Sequence, residues 1–183
     1  MSFLYTPYYC EENVWHLCQR EQFVDSEPIV VFVGNEIRAC PLWYQRASSL
    51  DQPVLWDYHV FLLCRDADFY WQVWDLDTLL GFPVNFEHYV DRTFGKVLAG
   101  DVYAPNFRLI AAQEYQRVFS SDRAHMRDKS GAWLEPPPPW PFIYNGVVSN
   151  LMEMTDFQAG RTGGVLGLAE FRARFAQTVW DQP

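Results

Sequence analysis

The sequence predicts a layered α/β fold, from three observations. Residues 54–64 (VLWDYHVFLLC) and 69–75 (FYWQVWD) are aromatic and β-branched runs with apolar residues at both alternating positions, and a strand that is apolar on both faces must be covered on both. Other segments carry apolar residues at helical spacing. The chain has 183 residues, 49% of them apolar and 20% charged, which suffices to bury one substantial core, so residues 1–183 read as a single domain needing no disulfide or metal staple.

The elements follow in order. Residues 10–20 (CEENVWHLCQR) lack Gly and Pro and place Cys10, Val14, Leu17 and Cys18 on one face of a helix, with Glu11 and Glu12 at the positive end of its dipole. Residues 29–33 (IVVFV) form a strand closed by Gly34 and Asn35, with residues 37–44 as its partner in a first hairpin. The two aromatic runs, joined by the polar residues 65–68, form a second hairpin. Residues 86–94 read as a short helix, 108–112 as a strand, 113–119 as a helical turn and 168–179 as an amphipathic helix with Phe171 and Phe175 four apart. Residues 135–141 (EPPPPWP) are extended polyproline, read as a stiff strap across the domain itself.

Composition excludes several functions. Fourteen Lys and Arg against 23 Asp and Glu give a net charge of −9, with no basic run, so binding to nucleic acid or to an anionic membrane is not expected. No apolar stretch reaches spanning length. Cys10, Cys18, Cys40 and Cys64 follow a start without signal-peptide features, so the thiols are expected to stay free in a reducing compartment. The 17% aromatic content, with eight Trp, must line a core or an apolar pocket.

The second hairpin carries the first chemical expectation. If residues 66–68 form the loop, His59 lies opposite Asp75, with Phe61 opposite Val73 and Leu63 opposite Trp71, and facing side chains on one surface touch. A carboxylate that holds an imidazole fixes its tautomer and stabilises its cation. Cys10, at a helix N-terminus, is the best-placed thiol to serve as nucleophile, since the dipole and an imidazolium would lower its pKa; the alternative is a small packing hydrophobe. Cys18, Cys40 and Cys64 read as structural, and His16, His88 and His125 as unconnected with the site. The thiols lack zinc-ligand spacing, and the glycines at residues 160–164 lack the features of a phosphate loop. No metal or cofactor is expected.

Five ordered segments carry a resemblance: residues 8–15 (YYCEENVW), 56–60 (WDYHV), 74–78 (WDLDT), 120–128 (SSDRAHMRD) and 131–141 (GAWLEPPPPWP). Together they resemble the protein N-terminal glutamine amidohydrolases, the WDYHV-motif proteins, collinearly from about residue 8 to 175. The resemblance implies a monomeric three-layer α-β-α sandwich with a largely antiparallel sheet, related to papain-like and transglutaminase-like cysteine hydrolases. It also implies deamidation of an N-terminal Gln on proteins or peptides, feeding the N-degron pathway in the cytosol, with the nucleus left open. Its catalytic residues fall on Cys10, His59 and Asp75. Reading a free α-ammonium calls for an acid, and Asp57 or Glu12, then Asp77 and Asp122, are the candidates. Trp56 and Tyr58 are expected to point away from His59 and pack. The competing expectations are another cysteine acyl transferase or protease on this fold, and a non-enzymatic module presenting its proline-rich segment.

Overall fold

The computed structural model describes residues 3–23, 26–49, 51–97, 100–158 and 164–176. It is mixed α/β. Six strands form one sheet: β1 (Ile29–Gly34), β4 (Tyr58–Arg65), β5 (Trp71–Trp74), β6 (Val84–Asn85), β7 (Asn106–Ala111) and β8 (Val165–Gly167). Their order is β6-β5-β4-β1-β7-β8, and every adjacent pair is antiparallel. A second, two-stranded sheet pairs β2 (Cys40–Leu42) with β3 (Val54–Trp56).

Alternation along the central strands builds two cores back to back. Val30, Phe32, Tyr58, Val60, Leu62 and Ile110 face α1 (Cys10–Leu17) and α3 (Ala112–Val118). Val31, Val33, Phe61, Leu63, Phe107 and Leu109 face α2 (Phe86–Phe94) and α5 (Leu168–Phe175). The sheet is thus apolar and covered on both faces, as the unbroken runs in β1 and β4 require. Much of the aromatic excess lies in the second core, where Phe171 stacks on Phe107 at 4.0 Å and meets Phe61, Phe86 and Phe175 edge-on or tilted. Cys18, Cys40 and Cys64 are buried and free, and no helix among the described residues is long and apolar enough to cross a membrane.

Three expectations are corrected. Residues 37–44 do not form a hairpin with β1: both edges of β1 are occupied by β4 and β7, and the Asn35 side chain closes a turn on Ala39 through two hydrogen bonds of 2.9 and 3.1 Å. Residues 54–64 are not one strand, because the chain bends at Asp57 and β3 leaves to pair with β2. The register of the second hairpin also differs. Leu63 faces Val73 and Arg65 faces Trp71, because Asp66 draws the next residues into the loop: its carboxylate accepts from the amides of Asp68 and Tyr70 at 3.0 and 2.8 Å, while Phe69 takes a left-handed φ of 64°. The loop therefore absorbs residues 66–70. This shift is two positions, and an even shift keeps every side chain on its expected face.

The short elements β6, β8 and α4 (Leu151–Met154) are too brief to show a period in the sequence. The expected terminal helix ends at Phe175 within the described residues; residues 177–179 of that expectation, and residues 160–163 of the glycine segment, lie outside them.

The stacked ring of Phe171 anchors α5 over the sheet, so Phe171→Ala should cost about 3–5 kcal/mol, measured as a lower urea midpoint with unchanged m-value.

Candidate active site

Cys10 is the first residue of α1, whose N-cap position, Tyr9, supplies no side-chain cap. Asn13 instead ties the preceding loop to the first turn, accepting from the Thr6 amide at 2.9 Å and donating to the Thr6 carbonyl at 2.8 Å. Tyr8, just before the helix, is left-handed at φ 68°, an unusual conformation for a bulky residue and of the kind found at functional sites. Cys10 thus sits at the edge of the first core and lines a cavity of about 280 Å³. His59, the second residue of β4, reaches the same cavity from the sheet, and Asp57 and Asp77 complete its acidic wall.

Asp75 follows the end of β5 and holds His59. The His59 Nε2 to Asp75 Oδ1 distance is 2.9 Å, and both residues are about 1% exposed. The same carboxylate accepts from the Asp77 amide at 2.9 Å, Gln45 Nε2 at 3.1 Å and the Tyr89 hydroxyl at 2.8 Å. Burial alone would raise the Asp75 pKa; the His59 charge and hydrogen bond, with the Asp77 amide and Gln45, outweigh it and hold the carboxyl below its usual value. Burial would likewise lower His59, but Asp75, with Asp77 and Glu11, drives it net upward. The diagonal neighbour relation left by the two-position register shift explains why the pair forms although the two residues are not directly opposite.

The thiol runs against expectation. Burial, then the Glu11 and Asp77 carboxylates, push Cys10 well above the usual thiol value, and a hydrogen bond from the Val60 backbone only partly offsets them. After burial, the largest contribution comes from the first turn's own acid, whose Glu11 Oε2 lies 3.7 Å from the sulfur.

The remaining acids divide sharply. Glu12 is not on the cavity: its carboxylate is completely buried and receives Arg123 in a two-pronged pair, 2.7 Å at each oxygen, together with Trp140 Nε1 at 2.6 Å. Arg123 also donates to the carbonyls of Pro138, Trp140 and Pro141, so the proline-rich strap is clamped onto its own chain. Asp122 caps the Ala124 amide at 3.0 Å instead of facing the cavity. Asp57 is exposed at the mouth and accepts from the Tyr58 amide. Asp77 is buried beside His59 and accepts from the Tyr5 hydroxyl at 2.6 Å; burial and Asp75 push its carboxyl up.

Several site residues escaped the sequence reading. Trp56 does not point away: the bend at Asp57 turns its ring onto His59, stacked at 5.9 Å with planes 18° apart. Tyr58, His125, Met126, Leu134 and Glu135 also line the cavity. The side chains of Glu11 and His125 meet beside Cys10, at 3.5 Å. Residue spacing gave no link between His125 and Cys10, which are 115 positions apart; the signal available was that His125 lies in the segment 120–128, one of the five that carry the family resemblance.

Ligand atoms of His59, Asp75 and Asp77 lie within 4.8 Å of one another, near enough to hold a metal ion. The four donors already on Asp75 suit an orienting carboxylate better, since each would have to be displaced to free its oxygens. A larger cavity of about 740 Å³, between Phe94 and Leu168, contains none of these groups.

The family model described as N-terminal glutamine amidase matches residues 5–175. The chain belongs to this family. It is 40% identical to the human protein N-terminal glutamine amidohydrolase, with 94% of this chain and 87% of the human one covered, and equally similar to that of Bos taurus over the same shares. The Drosophila mojavensis protein of the same name is 44% identical, with 91% of this chain and 85% of that one covered. Membership makes the protein an enzyme of the amide-hydrolysing class, with Cys10, His59 and Asp75 all inside the matched span.

Two outcomes are expected from this geometry. Arg123→Ala leaves Glu12 buried and unpaired and should cost about 3–5 kcal/mol in denaturant unfolding. Asp75→Asn removes the charge that holds the His59 proton against burial, so the pH at which the His59 ring titrates should fall, read from its imidazole C–H resonances.

Proposed function

We propose that the protein hydrolyses the side-chain amide of an N-terminal glutamine on proteins or peptides, giving N-terminal glutamate and ammonia. The observation that carries this reading is one small cavity bounded by a thiol at a helix start, an imidazole held by a carboxylate, and acids at the mouth, in a chain of this family.

In this mechanism the Cys10 sulfur attacks the carboxamide carbon. His59 has Nε2 committed to Asp75, so Nδ1 is the nitrogen that takes the thiol proton and delivers it to the departing amine. Ammonia leaves, a thioester remains, and His59 then draws a proton from water, whose oxygen displaces the sulfur to give the carboxylate. The Cys10 amide, at the uncapped start of α1, is placed to donate to the developing oxyanion. Asp57 and Asp77, with Glu135 nearby, supply negative charge for the substrate's α-ammonium; Glu12 is withdrawn from that role by Arg123. The layout of a thiol-bearing helix packed on an antiparallel sheet whose strand bears the histidine supports a papain-like or transglutaminase-like origin; a single catalytic domain acting as a monomer in the cytosol or nucleus is part of the same proposal. The product fits a role in an N-degron pathway. The internal clamp on the strap favours this reading over presentation of the prolines to a partner.

Cys10→Ala should abolish ammonia release from a Gln-initiated peptide, and the one-dalton mass gain at its first residue, while moving stability by no more than about 1 kcal/mol. Acetylating the peptide's amine should reduce turnover by at least about tenfold if acids read the charge; equal rates would mark a general deamidase.

A further inference from the structure

A second imidazole, that of His125, lines the same cavity as Cys10 and His59. His125 stands in a short 3-10 turn, residues Ala124–Met126, placed by the left-handed Arg123 that Glu12 clamps. Its Nε2 lies 3.5 Å from Glu11 Oε1 and 3.3 Å from the Tyr58 hydroxyl. The other Glu11 oxygen is 3.7 Å from the Cys10 sulfur, and Glu11 is wholly buried. The two consecutive glutamates of α1 therefore hold the same distant segment at two points, Glu12 through Arg123 and Glu11 through His125. Glu12 is fully compensated. Glu11 has no arginine or lysine partner among the described residues; the cation that meets its carboxylate within ion-pair distance is the imidazolium of His125, while His59 also feels its charge.

An uncompensated buried carboxylate beside a thiol opposes the formation of thiolate. We propose that His125 is a positioning residue for the reaction: as a cation it neutralises Glu11 next to Cys10, so that the sulfur can ionise at neutral pH. The inference rests on Cys10 being the nucleophile. The groups facing the pair are Cys10 and Glu12 from α1, Tyr9 just before it, Tyr58 and His59 from β4, Asp57 from the bend before that strand, and Tyr115 from α3. Burial would lower His125, but Glu11, with Asp57 and Glu12, reverses this and keeps it protonated to higher pH than a free histidine. A protonated His125 offsets the Glu11 carboxylate, and that offset is lost as pH rises through the His125 titration. Tyr58 accepts from or donates to the same ring nitrogen and fixes its orientation.

The test is the rate of Cys10 alkylation by iodoacetamide, read by peptide mass so that the buried Cys18, Cys40 and Cys64 do not interfere. At pH 7, His125→Gln should alkylate about tenfold more slowly than the wild type, and the two should converge at alkaline pH, where wild-type His125 is neutral. Adding Glu11→Gln to His125→Gln should restore the wild-type rate at pH 7. Equal rates at pH 7, or a deficit that survives removal of Glu11, would overturn the proposal. Should His125→Gln fail to fold, Glu11→Gln alone reads the same charge: it should alkylate faster than the wild type above the His125 titration, and an unchanged rate there would be equally fatal. Alkylation needs no substrate, so this result stands or falls apart from whether glutamine is the residue hydrolysed.

Discussion

The buried pair of Glu12 and Arg123 is the constraint on which the cavity depends. A guanidinium and a carboxylate that both leave water are tolerated only when nearly every donor and acceptor is used. Here Trp140 and three carbonyls of the proline-rich strap complete the set. Such a pair contributes less to net stability than to uniqueness: sliding the strap by one residue would take its carbonyls from Arg123 and the Trp140 indole from Glu12. Because Arg123 is fixed, His125 and Met126 fall beside Cys10, and because the strap is fixed, Leu134 and Glu135 form the outer wall. One end of the clamp is the residue two places after Cys10, so the helix that carries this thiol and the wall that encloses it are positioned by the same interaction.

The other wall comes from the sheet, and its geometry is a matter of parity. β4 is buried along nearly its full length, with alternate side chains in two different cores. Cys10 belongs to one side of the sheet and His59 to the other, yet they share a cavity because β5 stops opposite Leu62 and leaves the first residues of β4 free at that edge. The Val60 backbone can thus meet the sulfur while the His59 ring turns to Asp75. Trp56, carried on a different strand, closes over the imidazole.

Electrostatically the site is a balance of excess acid. Asp75 outweighs burial and raises His59, while burial, then Glu11 and Asp77, push the Cys10 thiol up. A pocket built in this way has negative potential to spare for a cationic substrate terminus, and the arrival of that charge would itself ease ionisation of the sulfur. The whole-chain charge of −9 matters less than the few carboxylates concentrated here.

What the sequence determined by itself was local or periodic. The helix at Cys10, the helix at residues 86–94, the doubly apolar strands and the stiffness of the proline run follow from spacing and backbone chemistry, and the pairing of His59 with Asp75 survived an error in register because side-chain direction repeats every two residues. The tertiary structure alone decided which strands became neighbours: β1 had two edges and a turn that blocked the obvious hairpin, and a single bend at Asp57 sent Trp56 to another sheet. It also decided the fate of the acids. Glu11 and Glu12 are chemically identical neighbours, and one became a clamp while the other came to lie beside the sulfur, because charge partners for buried groups are chosen by proximity in space, and Arg123 and His125 are brought near only when the whole chain has closed.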